Sequence, residues 1–313
     1  MKTNPSYSNL VAQWQLPSPI QQVSLPSSLW GALTHLWIKR DDLIHPIISG
    51  NKARKLLHEL PRVEESAACG VMSMGGNYSN FLHALAYAAQ QLECKAVGII
   101  RGPEPKAWGA TLKDLKAFNM ECRFVNREAF KQMRTQADYA AELASKENLL
   151  WIPEGGSTEA AIEGVIESVG ELSIEPDYIF VALGTGTTAL GIAQGVRLRS
   201  WNTQVIAVAP LKGAQQIEES IAAKASQCGF SVPSNLTIEH RFCGKGFGRI
   251  EPDLIERMSH YQTCLGIPLE PVYAVKTLDA LSFYGINQLI PNRAEVLYWH
   301  TGGIQGARSI NSG

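Results

Sequence analysis

The sequence predicts an α/β fold of two interleaved open parallel-sheet domains, and three observations carry that expectation. Apolar runs of strand length alternate with helix-length segments along most of the 313 residues. Several of these runs are almost continuously hydrophobic, as a parallel strand covered by helices on both faces requires. No repeat, low-complexity tract or Pro/Ser-rich linker divides the chain, although its length suits roughly two domains. The domains are therefore expected to interleave, with residues 1–52 and 165–313 forming a larger one and 53–164 a smaller one.

In chain order, the expected strands are Leu36–Lys39, Gly70–Met74, Ala96–Ile100, Cys122–Val125, Leu149–Ile152, Tyr178–Leu183, Val205–Ala209 and Glu295–Trp299. The helices expected between them are Lys52–Leu60, Asn80–Leu92, Leu112–Asn119, Phe130–Lys146, Glu159–Glu171 and Thr188–Arg199. That rhythm implies right-handed crossovers.

Lys plus Arg total 28 against 29 Asp plus Glu, a formal charge of −1. Such a balance gives no global attraction for nucleic acid or an anionic membrane. No apolar run reaches the roughly eighteen residues of a membrane span, and Met1–Leu10 lacks a signal-peptide core. None of the six cysteines forms a Cys-x-x-Cys pair. Cys69, Cys94 and Cys122 stand at or near strand starts, a usual place for a buried thiol. All six are expected to be reduced and structural in a cytoplasmic protein. The seven histidines show no His-Glu-x-x-His spacing, so no metal is expected.

Three glycine- and hydroxyl-rich loops follow expected strands and open expected helices: Ser73–Asn80, Pro153–Thr158 and Gly184–Gly191. Ligands in open α/β sheets bind outside the carboxyl ends of the strands, so the three loops can face one crevice. The third is the best phosphate cradle. Gly184 and Gly186 admit close backbone approach, while Thr185, Thr187 and Thr188 add hydroxyls at a helix N-terminus. It also fits Gly-x-Gly-x-x-Ala, but no ribose-binding acid follows in Ala207-Val208-Ala209-Pro210-Leu211-Lys212. A phosphate monoester is favoured over a nicotinamide cofactor.

The remaining feature is Ser49-Gly50-Asn51-Lys52-Ala53-Arg54-Lys55. A lysine at a helix start is ordinarily just solvated. The helix dipole disfavours its charge there, however, and a neutral amine is what Schiff-base chemistry needs.

Lys52 in Ser-Gly-Asn-Lys-Ala-Arg-Lys, then Ser79-Asn80, then the loop at 184–188, form an ordered set. It resembles the fold-type-II pyridoxal-phosphate enzymes, and within them the 1-aminocyclopropane-1-carboxylate deaminase / D-cysteine desulfhydrase family. The likeness runs from Ile38-Lys39-Arg40-Asp41-Asp42-Leu43 to His300-Thr301-Gly302-Gly303. It implies pyridoxal 5'-phosphate attached at Lys52, with its phosphate held by Gly184, Thr185, Gly186, Thr187 and Thr188. Asn80 would lie near the phenolic oxygen of the ring and Thr301 near its nitrogen. Asn51, Asn77, Ser79, Phe247 and Tyr273 would line the substrate, with Lys52, Ser79 and Tyr273 catalytic. The expected partner is a small amino acid, and the expected assembly a homodimer.

Two departures bear on activity. Deaminase members carry Pro-Val-Tyr-Glu-Gly-Lys where this chain reads Pro271-Val272-Tyr273-Ala274-Val275-Lys276, and desulfhydrase members have Thr at the fourth position. Ala274 removes the acid that would pair with the ring nitrogen, which argues against opening a cyclopropane. Phe247 stands where the family has a second active-site tyrosine. The resemblance therefore implies desulfhydrase-type elimination from D-cysteine. The alternatives are the cyclopropane deaminase and a non-catalytic relative that binds cofactor or amino acid.

Overall fold

The computed structural model describes residues 5–26, 30–31, 33–210, 215–243 and 252–312. Phe247 lies outside them. Helix α1 (Pro5–Val11) leads into an antiparallel pair, β1 (Ile20–Ser24) and β2 (His35–Lys39), which starts with Ile20 opposite Lys39. A short 3-10 turn, Asp41–Leu43, then precedes α2 (Asn51–Glu65). Next come β3 (Gly70–Gly75), α3 (Asn80–Gln91), β4 (Lys95–Arg101), α4 (Ala110–Ala117), β5 (Glu121–Val125), α5 (Arg127–Thr135), α6 (Ala137–Ser145) and β6 (Leu149–Ile152). The chain continues through α7 (Glu159–Val169), β7 (Tyr178–Ala182), α8 (Thr187–Leu198), β8 (Gln204–Val208), α9 (Gln215–Gln227) and β9 (Leu236–Glu239). It closes with α10 (Pro252–Leu265), α11 (Ala274–Ile286), β10 (Val296–Trp299) and a 3-10 segment, Ile304–Ser312.

The strands make two sheets, an α/β architecture as expected. One has the order β1-β2-β10-β7-β8-β9 and is parallel except for β1; the other, β5-β4-β3-β6, is parallel throughout. The four strands of the second sheet fall between residues 70 and 152, so the six-stranded sheet is built from chain on both sides of them. Leu36, Ile38, Phe180, Val205, Leu297 and Trp299 are among the fully buried side chains of the larger sheet. Between the sheets, α2, α7 and α8 stack closely. Gly164 of α7 lies where a Cβ would fall 2.2 Å from the Arg54 carbonyl, and Gly191 of α8 where one would fall 2.7 Å from Val165.

Two helix expectations need correction. The segment Phe130–Lys146 is two helices, parted at Gln136 with φ −117° and ψ 80°. Its apolar spacing fits one helix, but the break lets α5 cover β4 while α6 covers β6. Helix α2 runs beyond Leu60, through Pro61 to Glu65. Proline removes the N–H that would bond the Leu57 carbonyl. Tyr7 supplies the missing donor, its hydroxyl lying 2.6 Å from that oxygen. The cysteines are free but less buried than expected: Cys69 is exposed, and Cys94 and Cys122 are half-buried, because strand starts here lie at the rim of the sheet. Strands β1 and β9, with α1, α9, α10 and α11, were not expected from the sequence pattern.

A buried ion network anchors α2. Arg54 donates to Asp41 and Glu171, and Lys39 Nζ to Glu171 Oε2 at 2.7 Å. Asp41 also accepts from Ser18 and from Trp299 Nε1, each at 2.7 Å. Burial raises the Asp41 carboxyl, yet Arg54 and these donors hold it below its ordinary range. The network joins β2, α2, the turn after α7 and β10, and fixes the first turn of α2.

Candidate active site

The carboxyl ends of β2, β3, β6, β7 and β10 open on one crevice, where parallel strands ordinarily present ligands. Gly50 turns the chain into α2 with φ +68°, and a Cβ there would fall 1.9 Å from the Thr301 carbonyl oxygen. Only glycine allows that approach. It brings the first turn of α2 onto the loop after β10: Asn51 N donates to Thr301 O at 3.3 Å, and Lys52 Nζ reaches the same oxygen at 3.3 Å. Burial pushes the Lys52 amine down to about 8, while Glu270 pulls it upward. An amine so tuned is partly neutral near neutral pH, as a nucleophilic lysine requires.

The loop after β7 forms an anion cradle. Gly186, at φ +87°, is the N-cap of α8 and offers no side-chain cap, so the helix N-terminus remains open. Thr185 Oγ1 and Thr187 Oγ1 are 3.1 Å apart, and Thr187 donates to Ser157 Oγ at 3.1 Å. Thr188 Oγ1 accepts from Asn51 Nδ2 at 2.7 Å. Gly184 lies beside the Tyr273 ring, where a Cβ would make ordinary contact with Tyr273 Cε1 at 3.9 Å. Loops 153–158 and 184–188 meet where Gly155 faces Thr185.

Two further cations belong to this end. Lys55 is buried and donates to the Gly155 carbonyl at 2.7 Å. Burial first, then Lys52 and Lys224, push its amine down to about 7. Burial alone takes Lys224, on α9, down to about 8. Lysines crowded in this way call for an anion. The sequence pattern carried Lys55 only as the end of the Ser49–Lys55 motif and Ser157 only as part of the Pro153–Thr158 loop, and gave no sign of Lys224.

At the other end, Ser79 is the N-cap of α3 and its Oγ accepts from Leu82 N at 3.2 Å. Its hydroxyl proton is still available to donate. Asn80 Oδ1 accepts from Gln305 Nε2 at 2.9 Å. The buried acceptors Asn51 Oδ1 and Asn77 Oδ1 have no hydrogen-bond partner, which suits groups that receive donors from a ligand. The Tyr273 hydroxyl is raised well above its ordinary range by burial and then by Glu270 and Glu154, so it stays protonated. Glu270 was missed by the sequence pattern. Its carboxylate accepts from the backbone N–H of Val272, Tyr273 and Ala274, at 2.8, 2.6 and 2.5 Å, capping α11. Burial raises it despite those bonds and despite Lys52.

The structure thus brings Asn51, Lys52, Asn80, the 184–188 loop, Tyr273 and Thr301 together, with Asn77 and Ser79 on the loop that leads into Asn80. These residues fit pyridoxal phosphate: an open helix N-terminus with hydroxyls and lysines for a phosphate, and a tuned lysine for a carbonyl. Comparison with known proteins agrees. The model of the pyridoxal-phosphate dependent enzyme family matches residues 11–302. The chain belongs to that family.

It is 30% identical over 305 residues to a Pyrococcus furiosus protein provisionally named 1-aminocyclopropane-1-carboxylate deaminase, covering 92% of this chain and 90% of that protein. It is 27% identical to a mitochondrial bifunctional D-cysteine desulfhydrase/1-aminocyclopropane-1-carboxylate deaminase of Arabidopsis thaliana, covering 93% of this chain and 77% of that one. A solved 1-aminocyclopropane-1-carboxylate (ACC) deaminase homologue superposes with a TM-score of 0.79 at 28% identity, over 97% of this chain and 96% of its own. The chain is therefore a pyridoxal-phosphate-dependent enzyme with the fold-type-II architecture.

Proposed function

We propose that this enzyme eliminates the β-thiol of a small amino acid, D-cysteine first, giving an α-keto acid, ammonia and sulfide. The observation that carries this reading is residue 274. Ala274 is buried at the first turn of α11, beside the crevice, and contributes only a methyl group. Four residues earlier, Glu270 has both carboxylate oxygens committed to the backbone of residues 272–274. Thr301 adds a neutral hydroxyl. Such an environment suits a reaction in which the leaving group carries the electrons away as they arrive.

Bound pyridoxal phosphate supplies the conjugated ring that accepts charge from Cα. The chain's own residues do the rest. Lys52 would hold the cofactor and, once freed, its amine takes the Cα proton. Ser79 donates to the substrate carboxylate, while Asn51 and Asn77 offer acceptors. The Cβ–S electron pair leaves with sulfur as hydrosulfide, which the Tyr273 phenol meets as a hydrogen-bond donor while keeping its proton, and the proton that Lys52 took from Cα leaves with it. Water then hydrolyses the released enamine to keto acid and ammonia.

A second reading, opening of 1-aminocyclopropane-1-carboxylate, has one observation in its favour: Glu270 returns a buried carboxylate to this end of the crevice. The two readings part in a single assay. Purified holoenzyme is incubated with D-cysteine, L-cysteine, 3-chloro-D-alanine and 1-aminocyclopropane-1-carboxylate, and keto acid is measured. Turnover of D-cysteine and 3-chloro-D-alanine with little from the cyclopropane is expected. Equal turnover of the cyclopropane and D-cysteine would overturn the first reading.

A further inference from the structure

The 3-10 segment Ile304–Ser312 leaves the larger sheet after β10 and crosses to the helices of the smaller one. Side-chain contacts fasten it there. The Arg308 guanidinium pairs with Asp114 of α4, which also meets His83 Nε2 of α3 at 2.9 Å. Nearer the crevice, Gln305 Nε2 donates to Asn80 Oδ1 at 2.9 Å across 225 residues of sequence.

The second contact has a chemical consequence. A carboxamide is planar, with an acceptor at one end and a donor at the other. Once Oδ1 is held by Gln305, Nδ2 must point away from it. It points beside Gly303: a Cβ built there would lie 2.7 Å from Asn80 Nδ2 and 3.8 Å from Glu270 Cγ. The absence of a side chain at residue 303 makes room for the amide. Glu270 on the same side favours the donor end over the acceptor end electrostatically. The loop that Nδ2 faces also carries the Thr301 carbonyl, which Lys52 Nζ reaches.

We propose that Gln305 is a positioning residue: by holding Asn80 Oδ1 it fixes the amide so that Nδ2 is presented as a donor to an anionic oxygen of the group attached at Lys52. This rests on the assignment of Lys52 and Asn80 to the cofactor site. Its effect is electronic rather than steric. A donor aimed at an anionic oxygen lowers that oxygen's proton affinity, so losing the fixed donor raises it.

The experiment is a pH titration of the visible absorption band of the holoenzyme. Gln305→Leu removes the donor, leaves the Asn80 amide free to turn, and should move the midpoint upward by about half to one unit. Gln305→Glu replaces the donor by an acceptor. It should draw Nδ2 towards itself, present Oδ1 instead, and shift the midpoint further in the same direction. Arg308→Gln cuts the ion pair with Asp114 and should leave the midpoint in place. In an Asn80→Ala background, Gln305→Leu should add nothing, since two residues acting through one contact are not additive. A shift in Asn80→Ala with none in either Gln305 variant would overturn the role of Gln305 alone. No shift in Asn80→Ala would instead overturn the placement of Asn80. Equal shifts from Arg308→Gln and Gln305→Leu would mean that docking of the segment matters and amide orientation does not, which also overturns the proposal.

Discussion

At the phosphate end of the crevice, Gly184, Thr185, Gly186, Thr187 and Thr188 are consecutive, and Lys55 lies one helical turn from Lys52. At the substrate end, Asn80, Glu270, Ala274, Thr301 and Gln305 arrive from α3, the start of α11, the end of β10 and the C-terminal segment. Backbone N–H groups and turn geometry, which a short motif encodes by itself, can anchor a dianion. Choosing which bond breaks depends on side chains that converge from distant places, so under the proposed function one replacement such as Ala274 would change the chemistry without loosening the anchor.

The sharpest way to break that division is at Lys52, which stands between the two ends. Lys52→Ala should lower turnover by about a thousandfold or more, the scale of losing a positioned proton-transfer group. Because the phosphate cradle remains, the variant should still bind cofactor non-covalently. In the wild type, borohydride reduction followed by peptide mapping should place the pyridoxyl group on Lys52. Lys55 is the informative competitor, since burial pushes its amine even lower, to about 7. A label on Lys55 would mean that the phosphate end also does the chemistry.

The phosphate end is tested next. Thr187→Ala with Thr188→Ala removes two hydroxyls from the cradle. Hydrogen bonds to a charged partner contribute about 1.5–3 kcal/mol each. The double variant should therefore bind pyridoxal phosphate about a hundredfold or more weaker, by fluorescence titration. Unchanged affinity would move the phosphate away from α8.

The same contrast explains what could be read in the sequence. The parallel strands were legible because burial on both faces writes a continuous apolar run, as in Tyr178–Ala182. The cradle and Lys52 were legible because glycine and hydroxyl spacing is local. Gln305 and Glu270 carry no local signal: one acts on a residue 225 positions away, and the other reads simply as an acid before a proline. The continuation of α2 through Pro61 was hidden for the same reason, since its compensating donor, Tyr7, comes from another helix.

A smaller effect is expected at residue 274. Ala274→Glu would set a second carboxylate beside Glu270, and like charges raise each other's proton affinity. That adds an acid to an environment that otherwise offers only committed or neutral groups. The ratio of cyclopropane to D-cysteine turnover should rise by about tenfold, equivalent to about 1.4 kcal/mol in relative barrier height. An unchanged ratio would show that residue 274 does not select the reaction.

The smallest effect concerns the lysines of the phosphate end when cofactor is removed. Lys55 titrates near 10.5 as an ordinary lysine but is pushed down to about 7 in the fold, chiefly by burial. Between those values the unfolded chain binds more protons than the folded one, so stability rises with pH across the window. Lys52 and Lys224, each lowered to about 8, act in the same direction. Cofactor-free protein should therefore gain stability from pH 7 to pH 9.5, and Lys55→Met should reduce that slope by about 1 kcal/mol per pH unit. Thermal unfolding across that range checks both. Inorganic phosphate should flatten the wild-type slope as well, because a bound dianion favours the charged lysines and stabilises the fold most at the acidic end of the window. A wild-type slope that matches Lys55→Met would mean that Lys55 is not held in the low-pKa state on which this end of the crevice depends.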